Sequence, residues 1–215
     1  MSSTFIERDA VRILFILYYC GKERSQLSLF DDNEYTHSID SESKLQKIDF
    51  WLRYPDHFAA ALLYGCETGD LTKDAGEIKQ IIRVMFHTRE PAIRWTSMRK
   101  YLRGAYEPLD EVMALLSSLD LAYKRILSWG HCSCYFLTLK GSNIVERMLQ
   151  ECSETAWYAE RCQLINRFFG TLNGYEIRKL QYLQENYSAT PYKETIGRIE
   201  FEIQQRFLHF YGETL

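Results

Sequence analysis

The residue types able to do chemistry are scattered along this chain of 215 residues. His131, Cys132 and Cys134 form the densest group of metal-ligating types. A structural zinc site needs a tetrahedral set of ligands, usually two pairs with two to four residues between the cysteines. Here one residue separates the pair and no matching second pair follows, so no metal is expected. A nucleophile would need a base beside it, but His37, His57, His87, His131 and His209 lie far apart and no G-x-S-x-G turn is present. Glycines are few and isolated, and no phosphate-cradling G-x-x-x-x-G-K-[ST] loop exists. The expectation is a protein without catalytic site, cofactor or small-molecule substrate.

Charge is the more informative signal. Overall the chain carries −3, which gives no field for wholesale phosphate binding. Residues 77–106 run the other way, with Lys79, Arg83, Arg89, Arg94, Arg99, Lys100 and Arg103 against Glu77 and Glu90. Trp95, Tyr101 and Tyr106 are interleaved among them. Arg94, Arg99, Lys100 and Arg103 are therefore candidate contacts to a nucleic-acid backbone or to an acidic partner. The plainer alternative, a solvated face with internal ion pairs, stays open.

The elements that must position these residues are mainly helical. Residues 8–20 predict a buried helix that stops at Gly21, and Phe15 and Tyr18 on it are candidate docking residues. The acidic stretch 22–43 reads as a long surface loop, in which Leu27, Leu29 and Phe30 could dock. Helices are expected at 44–54 and 56–64, separated by Pro55, and again at 78–86 and around 93–102. Residues 109–119 predict a helix, 121–129 and 134–139 two strands, and 143–150 a closing helix. Helix, hairpin and helix in this order suggest a winged-helix unit at 77–150. An N-terminal helical region (1–76) and a C-terminal helical extension (151–215) would flank it. The fold class expected is thus mainly α with a small β-hairpin wing.

A winged helix invites the reading of a DNA-binding transcription regulator, whose helix before the wing enters the major groove. That helix begins with Glu107, Asp110 and Glu111 and has no Lys or Arg, and the wing offers only Lys124 and Arg125. Acids facing phosphates repel, so groove reading is the weaker alternative. No apolar run approaches a membrane span, and six unpaired-looking cysteines suit a reducing, cytoplasmic address. Fifteen Tyr and twelve Phe suit either an interface or a large core. Arg53-Tyr54-Pro55 marks a sharp junction between two apolar helices, with Tyr54 and Pro55 as a partner-docking corner or, more plainly, a turn within the core.

Several stretches resemble a family. "KLQKIDFWLRYPDHFAAAL", "REPAIRW", "YFLTLKGSNIVERML" and "INRFFGTLNGYEIRKLQYL" followed by "TPYKETIG" are similar to the middle component of bacterial ABC three-component systems. The accessory subunit of Lamassu-type antiphage defence systems is similar too. After Arg94 the chain departs from that pattern. The resemblance implies a non-enzymatic winged-helix subunit that bridges an SMC/Rad50-like ATPase to an effector, such as a nuclease. DNA would trigger the complex, and contact would be mainly to its backbone.

Overall fold

The structure, a computed structural model, describes residues 3–23, 35–127 and 132–215. In chain order its elements are α1 (Ser3–Cys20), β1 (Lys22–Glu23), β2 (Tyr35–Ile39), α2 (Glu42–Arg53), α3 (Pro55–Glu67), α4 (Ala75–His87) and α5 (Glu90–Ile93). There follow β3 (Arg99–Tyr101), β4 (Gly104–Tyr106), α6 (Asp110–Ser118), β5 (Ala122–Leu127), β6 (Cys132–Thr138) and α7 (Leu139–Glu151). The chain closes with α8 (Ala156–Phe169), α9 (Gly174–Tyr182), α10 (Glu185–Ala189) and α11 (Glu200–Tyr211). It is mainly helical with a small antiparallel sheet, as the hydrophobic periodicity requires. Two compact units emerge, each built from two stretches: Met1–Asp49 with Glu107–Tyr175, and Phe50–Tyr106 with Glu176–Leu215.

In the first unit α1 is the central helix. Ala10, Ile13, Leu14, Leu17 and Cys20 repeat at helical spacing and are buried. Helix α1 packs on α6, α7 and α8 and on strands β2 and β6. The four-stranded sheet has the order β1-β2-β6-β5, with every pairing antiparallel. Strand β2 corrects an expectation. Residues 22–43 read as surface loop, yet 35–39 pair with β6, and Ser38 and Ile39 are buried. The polar types Thr36, His37 and Ser38 conceal a strand that is held by cross-strand pairing. Leu27, Leu29 and Phe30 lie outside the described residues.

The expected helix, two strands and helix of residues 109–150 are present as α6, β5, β6 and α7. The exit from β6 is set by local chemistry. The Thr138 hydroxyl accepts the Gly141 amide at 2.9 Å, capping α7. The same hydroxyl lies 2.7 Å from the Asp120 carbonyl, to which it donates. Gly141 sits where a Cβ would come within 2.2 Å of the Leu121 carbonyl oxygen, so this helix can start here only on glycine.

In the second unit α3 is apolar on every side. Phe58, Ala59, Ala60, Leu62 and Leu63 have no exposed surface, which is the mark of a central helix. Pro55 opens it, where a missing amide costs nothing, and α4 and α11 pack against it. A second expectation fails here. Residues 93–102 do not form a helix: α5 ends at Ile93, and 99–106 form the hairpin β3-β4. Arg89 breaks the helical path with φ 57°, and Gly104, at φ 96°, closes the two-residue turn at Leu102 and Arg103.

Candidate nucleic-acid interface

Helix α3 and the residue before it fix the backbone on which the candidate contacts sit. The Tyr54 hydroxyl donates to the Ile196 carbonyl at 2.8 Å and accepts the Met98 amide at 3.0 Å. The Asp56 carboxylate accepts the Ile199 amide at 2.6 Å. His57 Nε2 donates to the Gly197 carbonyl at 2.9 Å, which leaves Nδ1 as a buried lone pair with no partner among the described residues. Burial pushes the His57 pKa down, with Asp56 opposing, so the ring is neutral. Four hydrogen bonds from Tyr54, Asp56 and His57 thus tie residues 98 and 196–199 to the start of α3.

Held this way, residues 193–196 run beside β3 as a third strand. The Lys193 amide donates to the Lys100 carbonyl at 2.7 Å, the Lys100 amide to the Glu194 carbonyl at 2.9 Å, and the Ile196 amide to the Met98 carbonyl at 3.0 Å. Arg99 pairs with Thr195 on one side and Tyr106 on the other. Side chains alternate across a ribbon, so this register decides which residues face water. Met98, Lys100, Ala105 and Ile196 are buried on the inner face. Arg99, Tyr101, Tyr106 and Thr195 fall on the outer face, and Lys193, at φ 67°, lies in the turn that leads into the edge strand.

The outer face is aromatic and cationic together. The Tyr101 ring meets Tyr106 edge-on at 5.6 Å and Tyr192 at 5.7 Å between centroids. The Lys193 ammonium lies 5.4 Å from the Tyr192 ring centre. At the far end the Arg198 guanidinium lies 5.7 Å from the Trp95 ring and 2.9 Å from Glu200. The hairpin tip presents Leu102, 85 % exposed, beside exposed Arg103.

Of the four cationic candidates, Arg99 and Arg103 are exposed on this ribbon and Arg94 is half-buried at the end of α5. Lys100 points the other way and is a correction. Its ammonium donates to the Ser188 carbonyl at 2.6 Å and lies 5.3 Å from the Tyr182 ring centre, and burial lowers its pKa. It braces the inner face and offers nothing to a phosphate. The docking candidates divide similarly. Phe15, Tyr54 and Pro55 are buried within their units, so they serve the core, while half-buried Tyr18 donates from its hydroxyl to Glu146 at 3.0 Å. For Tyr54 and Pro55 the plainer reading, a turn within the core, fits this placement.

Tyr192, Lys193 and Arg198 were not legible as site residues. They lie some ninety positions from β3, and only pairing in three dimensions brings them beside it. Elsewhere the first unit shows the opposite charge. Lys124 of β5 sits 3.7 Å from both Glu42 and Asp110, and Asp110 and Glu111 are exposed on α6. His131 lies outside the described residues and Cys134 is buried. Among the described residues no group of three or more His, Cys, Asp or Glu could hold a metal ion, and no helix is long and apolar enough to cross a membrane. An open pocket of about 250 Å³, lined by His87, Arg89 and Glu200 among others, is smaller than the usual small-molecule site.

Comparison with protein families, with curated proteins and with solved structures finds no match.

Proposed function

We propose that the chain is a non-enzymatic, cytoplasmic accessory subunit of an SMC-like ATPase complex in antiphage defence. It bridges the ATPase to an effector such as a nuclease and helps hold that effector in check until DNA arrives. The observation that carries this reading is the separation of charge. The helix before the β5-β6 hairpin presents Asp110 and Glu111 to solvent, whereas the cations Arg99, Arg103 and Lys193 lie together on a ribbon in the other unit. A surface of the first kind suits protein contact, and one of the second suits a phosphate backbone.

A winged-helix arrangement belongs to the same proposal, with different helices from those expected at 77–102. The order α1, β2, the first part of α2, α6, β5 and β6 follows the helix–strand–helix–helix–strand–strand plan. The sheet order β2-β6-β5 supports it, because the early strand of that plan lies beside the last. On this reading residues 50–106 are an insertion before the helix that would face a groove.

The test is affinity capture of the tagged chain from its native operon at moderate salt, with mass spectrometry of what accompanies it. A co-purifying coiled-coil ATPase is the expected result. A lone dimer that retards duplex DNA in a sequence-dependent manner would replace this reading with that of a transcription regulator.

A further inference from the structure

We infer that the outer face of the β3-β4-(193–196) ribbon binds single-stranded nucleic acid, with stacking on its aromatic rings as well as contacts to phosphate. This deepens the reading proposed above by assigning its nucleic-acid contact a class, and it rests on that reading only for its biological setting.

The charge complementarity is local. Arg99 stands on the outer face, Arg103 at the hairpin tip and Lys193 in the turn that leads into the edge strand, and neither Arg99 nor Arg103 has an ion pair or side-chain hydrogen bond among the described residues. Long-range salt bridges that would use up these cations are therefore not made, in contrast to Lys79 and Arg83, which both hold Glu213. An acidic protein segment would need only the cations. What favours a single strand is that exposed rings accompany them. Tyr192 is 54 % exposed with an ammonium over it, Trp95 is 39 % exposed with a guanidinium over it, and Tyr101 lies between Tyr106 and Tyr192. Rings cost free energy to leave in water, and the inner face of the ribbon already supplies the apolar contact its stability needs. Unstacked bases have faces for such rings, whereas a duplex hides its bases and offers mainly phosphates.

The backbone is also prepared. Tyr54, Asp56 and His57 anchor one edge strand, and Lys100 and Tyr187 brace the buried side, with the Tyr187 hydroxyl accepting the Ala105 amide at 2.6 Å. A platform fixed before binding loses little entropy on binding.

The experiment is fluorescence anisotropy of the full chain with labelled oligothymidylate of about 20 nucleotides, against a duplex of equal length and polyglutamate as competitors. Oligothymidylate is expected to bind, with log K falling against log salt at a slope of about −2 for three phosphate contacts. Arg99→Glu with Arg103→Glu should weaken it about tenfold or more, and Lys73→Glu, the same change on an exposed turn elsewhere, should not. Tyr192→Ala should weaken oligothymidylate about tenfold while leaving duplex binding within about twofold, and Tyr192→Phe should retain both. Thermal melts of each variant exclude loss of fold as the cause. Duplex binding as tight as the single strand, with no effect of Tyr192→Ala, overturns the inference in favour of backbone contact alone. Displacement by polyglutamate overturns it in favour of an acidic protein, and absence of oligothymidylate binding at about 50 mM salt overturns it outright. If the ATPase is still captured in that last case, the accessory-subunit reading survives. If oligothymidylate binds but no ATPase is captured, only that reading falls.

Discussion

The Asp56 carboxylate accepts the Ile199 amide at 2.6 Å across 143 residues of sequence, and both groups are buried. This contact and the Tyr54 hydroxyl bridge hold the C-terminal segment as an edge strand. They act together with the backbone pairing of residues 193–196 to β3.

Removing either anchor should therefore destabilise the second unit. Asp56→Ala leaves the Ile199 amide unsatisfied, and Tyr54→Phe does the same to the Met98 amide and the Ile196 carbonyl. A buried orphan group costs about 1–3 kcal/mol, so each variant should lower Tm by roughly 3–10 °C. Differential scanning calorimetry checks this, and unchanged melting in both would refute the anchoring role.

Stability should also fall with acid. Burial lowers the His57 pKa below its ordinary 6.5, and burial moves His37 the same way. The unfolded chain then binds more protons than the folded one just below pH 6.5. The stabilisation is complete above 6.5 and declines as the pH drops from there towards the depressed folded value. Urea midpoints measured between about pH 7.5 and 5.5 should show the decline. The slope should be shallower in His57→Phe, with His37 accounting for part of what remains.

In the first unit Arg12 and Asp49 form a buried ion pair, with Asp9 2.6 Å from the same guanidinium. Burial opposes the Arg12 charge, but the two carboxylates outweigh it and raise its pKa. Arg12→Leu removes a buried cation from beside two carboxylates and should cost about 3–5 kcal/mol. The double variant Arg12→Leu, Asp49→Leu should cost clearly less, because the fully buried carboxylate is then removed together with the cation. Chemical denaturation of both decides it; equal losses would show that the penalty is lost packing.

Two glycines in helices should respond oppositely to the same change. At Gly141 a Cβ would press on the Leu121 carbonyl at 2.2 Å, so Gly141→Ala should destabilise by about 1–3 kcal/mol. At Gly76 nothing lies within 4 Å of the added atom, so Gly76→Ala should stabilise α4 by up to about 1 kcal/mol. Melting temperatures moving in the same direction would contradict this.

What the chain determines by itself is its local structure where periodicity is strong. The buried spacing of α1, the apolar run of α3, and the helix, hairpin and helix of residues 110–151 follow from side-chain pattern, because one face or every face must leave water. The uneven charge and the acids at the start of α6 were equally legible. Tertiary structure alone decided the rest. Strand β2 is polar and takes its conformation from β6, and the residues around 93–102 form a ribbon because chain 193–196 supplies the partner for their amides. That pairing turned Lys100 inward, left Arg99 outward and brought Tyr192, Lys193 and Arg198 to the site. Backbone hydrogen bonds between distant segments leave no trace in composition or period, so no reading of neighbours along the chain could have placed them.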